Sequence, residues 1–282
     1  MKLVRYGEAG AEKPGLVDAG GTVRDLSELI DDIAGNVLSR EGLERLRGID
    51  PDSLPVASSH LRFGPCVGRI GRFICIGLNY ADHAAESNLP VPEKPIIFGK
   101  LCPATGANDP IVIPKDSTKT DWEVELGVII GETTAHVSEA DALSRVAGYC
   151  VINDVSERRF QLEEGGQWVK GKSADSFGPI GPWLVTADEV PDPQNLSMWL
   201  EVNGERKQNG STRTMVFGVA ALVAHLSRFM TLRAGDVIST GTPPGVGMGQ
   251  KPQPQYLKPG DVVRLGIEGL GEQEQHCVAY TG

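Results

Sequence analysis

Glu123 and Glu125, one residue apart in Asp121-Trp122-Glu123-Val124-Glu125-Leu126-Gly127, are a spacing that can do chemistry. On an extended strand, side chains at i and i+2 leave the same face, about 6.6 Å apart. Two carboxylates held that way repel each other unless a cation lies between them, although a bare pair equally well decorates a solvated strand. Here the neighbours Val124, Leu126, Val128, Ile129 and Ile130 are those of a central strand, where exposed acids are less natural. Asp154 ends a second apolar run, Cys150-Val151-Ile152-Asn153. Three oxygen donors with no nearby His or Cys suit a hard cation, Mg2+, Mn2+ or Ca2+, and argue against zinc.

Three further groups carry reactive types. His83 and Glu86 are spaced i, i+3 in Asn79-Tyr80-Ala81-Asp82-His83-Ala84-Ala85-Glu86. On a helix they share a face, so the carboxylate can orient the imidazole as a general base acting on water; the same spacing also occurs as plain surface decoration. Lys172, in Trp168-Val169-Lys170-Gly171-Lys172-Ser173, can hold a carboxylate or an enolate oxygen, or can be a solvated loop lysine. The loop Ser239-Thr240-Gly241-Thr242-Pro243-Pro244-Gly245-Val246-Gly247 offers hydroxyls and backbone N–H groups to an anion, or is a structural turn. It matches neither a P-loop nor G-x-G-x-x-G, which excludes a nucleotide role.

The elements that must position these groups are short. Thirty-five glycines and 19 prolines in 282 residues punctuate the chain into strands and turns. We expect strands at 2–6 and 15–24, the latter with a turn at Gly20-Gly21, then helices at 25–33 and 41–47. A proline-bearing connector leads to a boundary near Gly68, giving a small N-terminal domain over 1–68 and a catalytic domain over 69–282. Beyond it the patterning predicts strands at 73–76, 122–130, 148–153, 198–202 and 205–208, near Val237, and at 262–267 and 276–280. Asn203-Gly204 marks a type I′ hairpin turn. A short helix is expected at 81–87, and 216–230 carries Val219, Leu222, Val223, Leu226 and Phe229 at helical spacing. The class is β-rich α+β, without the regular alternation of a doubly wound sheet.

Composition narrows the partners. With 27 basic and 37 acidic residues the net charge is −10, a surface that repels nucleic acid and anionic lipid. An acidic protein handling an acidic substrate must therefore build a local positive site. Five widely spaced cysteines form no C-x-x-C pair, so we expect neither a disulfide framework nor a zinc site, and a reducing cytoplasm as the location. The opening residues lack a signal-peptide core, and no apolar run approaches the roughly 18 residues of a membrane span.

Taken in order, G-L-N-Y-A-D-H-A-A-E from Gly77, D-W-E-V-E-L-G from Asp121, N-D-V-S from Asn153, W-V-K-G-K-S from Trp168 and S-T-G-T-P-P-G-V-G from Ser239 resemble the fumarylacetoacetate hydrolase family. The resemblance runs from about Arg72 to the C-terminus. It implies a mixed β-sandwich roll behind a small α+β N-terminal domain, in a homodimer. It implies Glu123, Glu125 and Asp154 as ligands of Mg2+, with Mn2+ and Ca2+ as alternatives. His83 and Glu86 fall on a water-activating dyad whose segment closes over bound ligand, and Lys172 on the active-site lysine. Arg158, Gln161 and Thr242 fall on substrate-side positions near the metal. Arg159 stands where many relatives carry an acid. The 248–258 insert resembles a subgroup that includes ureidoglycolate lyase-like proteins and hydrolases of 2,4-diketo-3-deoxy-L-rhamnonate or its L-fuconate epimer.

The activity this implies is hydrolysis of the C–C bond of a 2,4-diketo acid to pyruvate and a hydroxy acid. The same site could instead eliminate urea from ureidoglycolate, isomerise a hydroxydienoate or decarboxylate oxaloacetate. A non-catalytic β-rich binding protein is the reading from another class; it predicts departures at the carboxylates or the dyad, and none is seen.

Overall fold

The computed structural model describes residues 1–57, 61–86 and 90–282. Its aliphatic runs pair into two mixed sheets, as a chain cut so often by glycine and proline requires. The larger sheet has nine strands. Their order is Val23–Asp25, Lys13–Val17, Lys2–Tyr6, Ile180–Thr186, Val146–Asn153, Val124–Ile130, Val237–Ser239, Phe73–Gly77 and Ile96–Lys100. A five-stranded sheet orders Glu205–Ser211, Ser197–Val202, Val262–Ile267, Gly271–Ala279 and Ile111–Ile113, and packs on the first. Two short strands, Thr120–Asp121 and Ser156–Glu157, form a separate ladder beside them. The fold is the β-rich α+β sandwich the sequence implied.

The core between the sheets takes one face of each. Val124, Leu126, Val128 and Ile130 point into it together with Met198, Leu200, Val263 and Leu265. The other face of the strand, Ile129, joins Leu3, Leu38, Leu43, Cys75 and Ile152 in a second cluster. Strand Lys2–Tyr6 pairs antiparallel with Ile180–Thr186, so the first residues extend the large sheet and share this second core.

Several local expectations are met. Asn203 and Gly204 both have positive φ, 53° and 79°, as a type I′ turn demands. The helix Val219–Ser227 buries Val219, Leu222, Val223 and Leu226. It is shorter than expected, because Gly218 caps its start and the chain leaves the helix at Arg228; Phe229 therefore faces solvent. Helix Arg40–Arg47 starts where Ser39 Oγ accepts from Gly42 N–H. The helix expected at 25–33 is absent. Only Leu29 and Ile30 N–H return to Leu26 O, while the Asp25 carboxylate takes Ser27 N–H and Asp32 is held by Arg5. Side chains that bond their own backbone compete with helix here. The strand expected at 15–24 is a hairpin, Lys13–Val17 with Val23–Asp25, turning at Gly20-Gly21.

Candidate active site

Strands Val124–Ile130 and Val146–Asn153 run antiparallel, which brings the start of one beside the end of the other. Glu123 immediately precedes the first strand, and its carboxylate converges with that of Glu125, as the i, i+2 spacing predicts. Its N–H donates to Asn153 Oδ1 at 3.1 Å, and Asp154 N–H donates to Glu123 O at 2.9 Å. This register sets Asp154 next to both glutamates. One oxygen from each of Glu123, Glu125 and Asp154 lies within 4.8 Å of the others, and all three side chains are buried.

Each carboxylate is held from behind by a different element. Ser239 Oγ and Gly241 N–H donate to Glu125 Oε2 at 2.6 and 2.8 Å. Gly241 has φ +99°, and a Cβ there would stand 2.9 Å from Asn79 Cβ, so the loop needs glycine to reach this oxygen. Arg158 Nη2 donates to Glu123 Oε1 at 2.5 Å. Lys100 Nζ lies 2.5 Å from Asp154 Oδ1 and donates to the carbonyls of Val155 and Lys172. On the near side, Lys172 Nζ donates to Glu123 Oε2 at 2.7 Å and to Asp154 Oδ2 at 2.8 Å.

The electrostatics follow. Burial alone would raise the Glu123 carboxyl, but Lys172 and Arg158 outweigh it and hold it down to about 2. Burial, reinforced by Asp154 and Glu123, pushes Glu125 well above the usual carboxylate range. Burial alone would lower the Lys172 ammonium, yet Asp154 and Glu123 outweigh it and keep it well above the ordinary lysine value.

Helix Ala81–Glu86 carries the His–Glu pair. Glu86 Oε2 lies 3.0 Å from His83 Nδ1, and Glu86 Oε1 accepts from Gly245 N–H at 2.9 Å. With Nδ1–H directed at the carboxylate, Nε2 is left to accept a proton. Asn79 pins the start of this segment through Phe217 and Thr240. The helix expectation extended to Ser87, which lies outside the described residues.

These groups surround one cavity of about 150 Å³, with Asp154, Glu86 and Lys100 behind its lining. Glu123, Glu125, Lys172, Arg158, Gln161, His83 and Thr242 form its buried floor, and Leu78, Phe98, Leu162, Trp168 and Met248 its more exposed walls. Gln161 sits in a π-helical turn, Arg159–Glu163, with Oε1 accepting from Arg158 Nη1 at 3.0 Å. Such turns recur at functional sites. Gly171 lets the helix Trp168–Lys172 pack on this turn, since a Cβ would meet Gln161 Cβ and Glu157 O at 2.5 Å.

The residues fit a hard cation. Burial, and then the neighbouring Asp154 and Glu123 carboxylates, push the Glu125 carboxyl up, and its hydrogen bonds come from the neutral Ser239 Oγ and Gly241 N–H. A buried carboxylate beside two like charges, held by neutral donors, asks for positive charge. The all-oxygen donor set is that of Mg2+ or Mn2+.

Residues 72–278 match the Fumarylacetoacetate (FAA) hydrolase C-terminal family. The chain belongs to the fumarylacetoacetate hydrolase family. A Burkholderia lata protein, named only as a hydrolase, is 65% identical over 277 residues and covers 98% of each chain. Maleylpyruvate hydrolase from Sphingobium sp. SYK-6, solved with manganese(II) and pyruvate, aligns over 100% of both chains with TM-score 0.83 and 28% identity. A 2-hydroxyhepta-2,4-diene-1,7-dioate isomerase from Mycobacterium marinum aligns over 100% of both with TM-score 0.74 and 30% identity. This chain is thus an enzyme of a fumarylacetoacetate hydrolase-type family with hydrolase and isomerase relatives. Among its described residues, no helix is long and apolar enough to cross a membrane.

In this family member all nine residues singled out from the sequence lie at one cavity or on its immediate supports. Thr242 lines the cavity, but its hydroxyl donates to Val124 O and accepts from Gln208 Nε2, strapping the loop to the strand. Arg159 stacks over Phe160 and is absent from the cavity lining. Sequence reasoning missed Lys100 and gave Asp121 no role. Lys100 closes an apolar strand, Ile96–Lys100, and a lysine ending such a run was the available signal. Asp121 is fully buried and takes Arg158 Nε at 2.8 Å and the N–H groups of Gly247 and Met248 at 2.6 and 2.9 Å. Nothing local distinguishes it from a turn residue.

Proposed function

We propose that the chain is a divalent-metal-dependent hydrolase that cleaves the C3–C4 bond of a 2,4-diketo acid, releasing pyruvate and a second carboxylic acid. The observation that carries this reading is the meeting, at one small cavity, of a cluster of three buried carboxylates, two of which line it, with a carboxylate-oriented imidazole. The maleylpyruvate hydrolase, with its manganese(II) and pyruvate, supports it by likeness. The finer reading, from the sequence resemblance, is 2,4-diketo-3-deoxy-L-rhamnonate or L-fuconate as substrate, a hydroxy acid as second product, Mg2+ as metal, and a cytoplasmic homodimer.

Glu123, Glu125 and Asp154 would hold the metal, which when bound supplies Lewis acidity toward the keto-acid oxygens. His83, oriented by Glu86, takes a proton from water through Nε2 as the oxygen adds to the C4 carbonyl. The C3–C4 bond breaks with its electron pair left on C3, giving the pyruvate enolate. The Lys172 ammonium, kept charged by its two carboxylate neighbours, stabilises that enolate until C3 is protonated. Gln161 would contact the carboxylate end of the substrate, with Arg158 holding Gln161 and Glu123 in place and Thr242 holding the loop beside them.

A second reading, isomerisation of a hydroxydienoate, is favoured by the likeness to the Mycobacterium marinum isomerase. There His83 would move a proton between substrate carbons without activating water. Coupled pyruvate detection over a panel of acylpyruvates, with Mg2+ and with chelator, separates the two. Chelator-sensitive pyruvate release is expected; isomerised product without pyruvate would overturn the hydrolase reading.

A further inference from the structure

We infer that the far end of the substrate is a short acyl group without charge, and that the cavity walls discriminate against diacids. This rests on the diketo-acid reading above and derives from the cavity the kind of tail it accepts. Burial is graded along the cavity. The polar floor is 2–7% exposed, whereas Leu78, Phe98, Trp168 and Met248 are half-buried and Leu162 is 46% exposed. The end of the substrate away from the carboxylates therefore meets apolar surface. Phe98 and Trp168 form one wall, ring centroids 5.3 Å apart and edge to face. Trp168 in turn closes on Gly77, where a Cβ would stand 2.2 Å from its ring.

No cation of the described lining is available for a second carboxylate. Every nitrogen of the Arg158 guanidinium has a partner, in Asp121, Gln161 and Glu123. Lys172 is held between Glu123 and Asp154 at the floor. A carboxylate pressed against the walls would lose hydration without gaining a partner. An alkyl tail gains from the same surface, and one hydroxyl is rejected only weakly, by no more than about a hundredfold. The volume of about 150 Å³ keeps the tail short, being below the roughly 300 Å³ at which pockets for larger ligands begin.

The test compares two acids of nearly equal shape, 2,4-dioxoheptanoate and 2,4-dioxoheptanedioate, which differ only in a terminal methyl or carboxylate. With Mg2+ present, kcat/KM for the monoacid should exceed that for the diacid by roughly a hundredfold or more. Leu162→Arg, which sets a cation at the mouth, should raise the diacid about tenfold without raising the monoacid; Met248→Lys serves if that variant fails to fold. A wild-type protein that cleaves the diacid as well as the monoacid overturns the inference. If neither acid yields pyruvate, the proposed activity fails, and calorimetric affinities of the two acids for the Mg2+-loaded protein still decide the tail preference.

Discussion

Asp121 and Arg158 form a buried ion pair, Oδ2 to Nε 2.8 Å, that joins two halves of the site. Arg158 reaches from it to Glu123. Asp121 reaches from it to the backbone of Gly247 and Met248, in the loop whose Gly245 N–H holds Glu86. The carboxylate cluster and the His83–Glu86 pair are thus tied through one aspartate. Asp121→Ala leaves Arg158 without half of its compensation and frees the loop. Unfolding free energy should fall by about 3–5 kcal/mol, the usual result of breaking a buried pair. Urea denaturation followed by circular dichroism reads it, and an unchanged midpoint would deny the pair its structural weight.

Asp154→Asn removes one charge from the proposed metal ligands and retains the shape. Mn2+ affinity should drop by roughly a hundredfold or more, beyond what loss of a supporting group produces. Titration calorimetry or the electron spin resonance of free Mn2+ measures it, in protein whose circular dichroism is unaltered.

His83→Ala should lower kcat for diketo-acid hydrolysis by about 10²–10⁴, the range for loss of a general base. Mn2+ binding should persist, because His83 is not among the three converging carboxylates. Undiminished hydrolysis would remove His83 from the mechanism.

Gly171→Ala separates packing from helix propensity. Within a helix alanine is favoured over glycine by about 1 kcal/mol, so propensity alone predicts stabilisation. The new Cβ, 2.5 Å from Gln161 Cβ and Glu157 O, predicts the opposite, a loss of about 1–3 kcal/mol and a displaced Lys172. Thermal unfolding and kcat together report both effects.

Acid stability should depend on Glu12. Burial would raise its carboxyl, but the Arg62 hydrogen bond and the Arg5 charge hold it below the ordinary 4.5. A folded-state value below the unfolded one means the contribution is complete above the ordinary value. It is lost as pH falls through the depressed value. Glu12→Gln should therefore lower the melting temperature near neutral pH and flatten its decline in acid, as scanning calorimetry across that range would record.

By themselves the residues determined which chemistry was available. Glu123, Glu125 and Asp154 stand in or beside apolar runs, His83 and Glu86 are a helical turn apart, and the order of motifs gave the family. Those signals are local, set by side-chain type and by the period of strand and helix. Tertiary structure decided how the groups are used. Glu123 meets Asp154 through the antiparallel register of two strands, not through its own spacing from Glu125. Lys100, Asp121 and Ser239 matter because chain segments up to 126 residues away close on them. Thr242 became a strap because Val124 O and Gln208 were brought within reach of its hydroxyl. The helix foreseen at 25–33 failed for a similar reason. Arg5, on the neighbouring strand, took Asp32, and no periodicity within the segment could announce that partner.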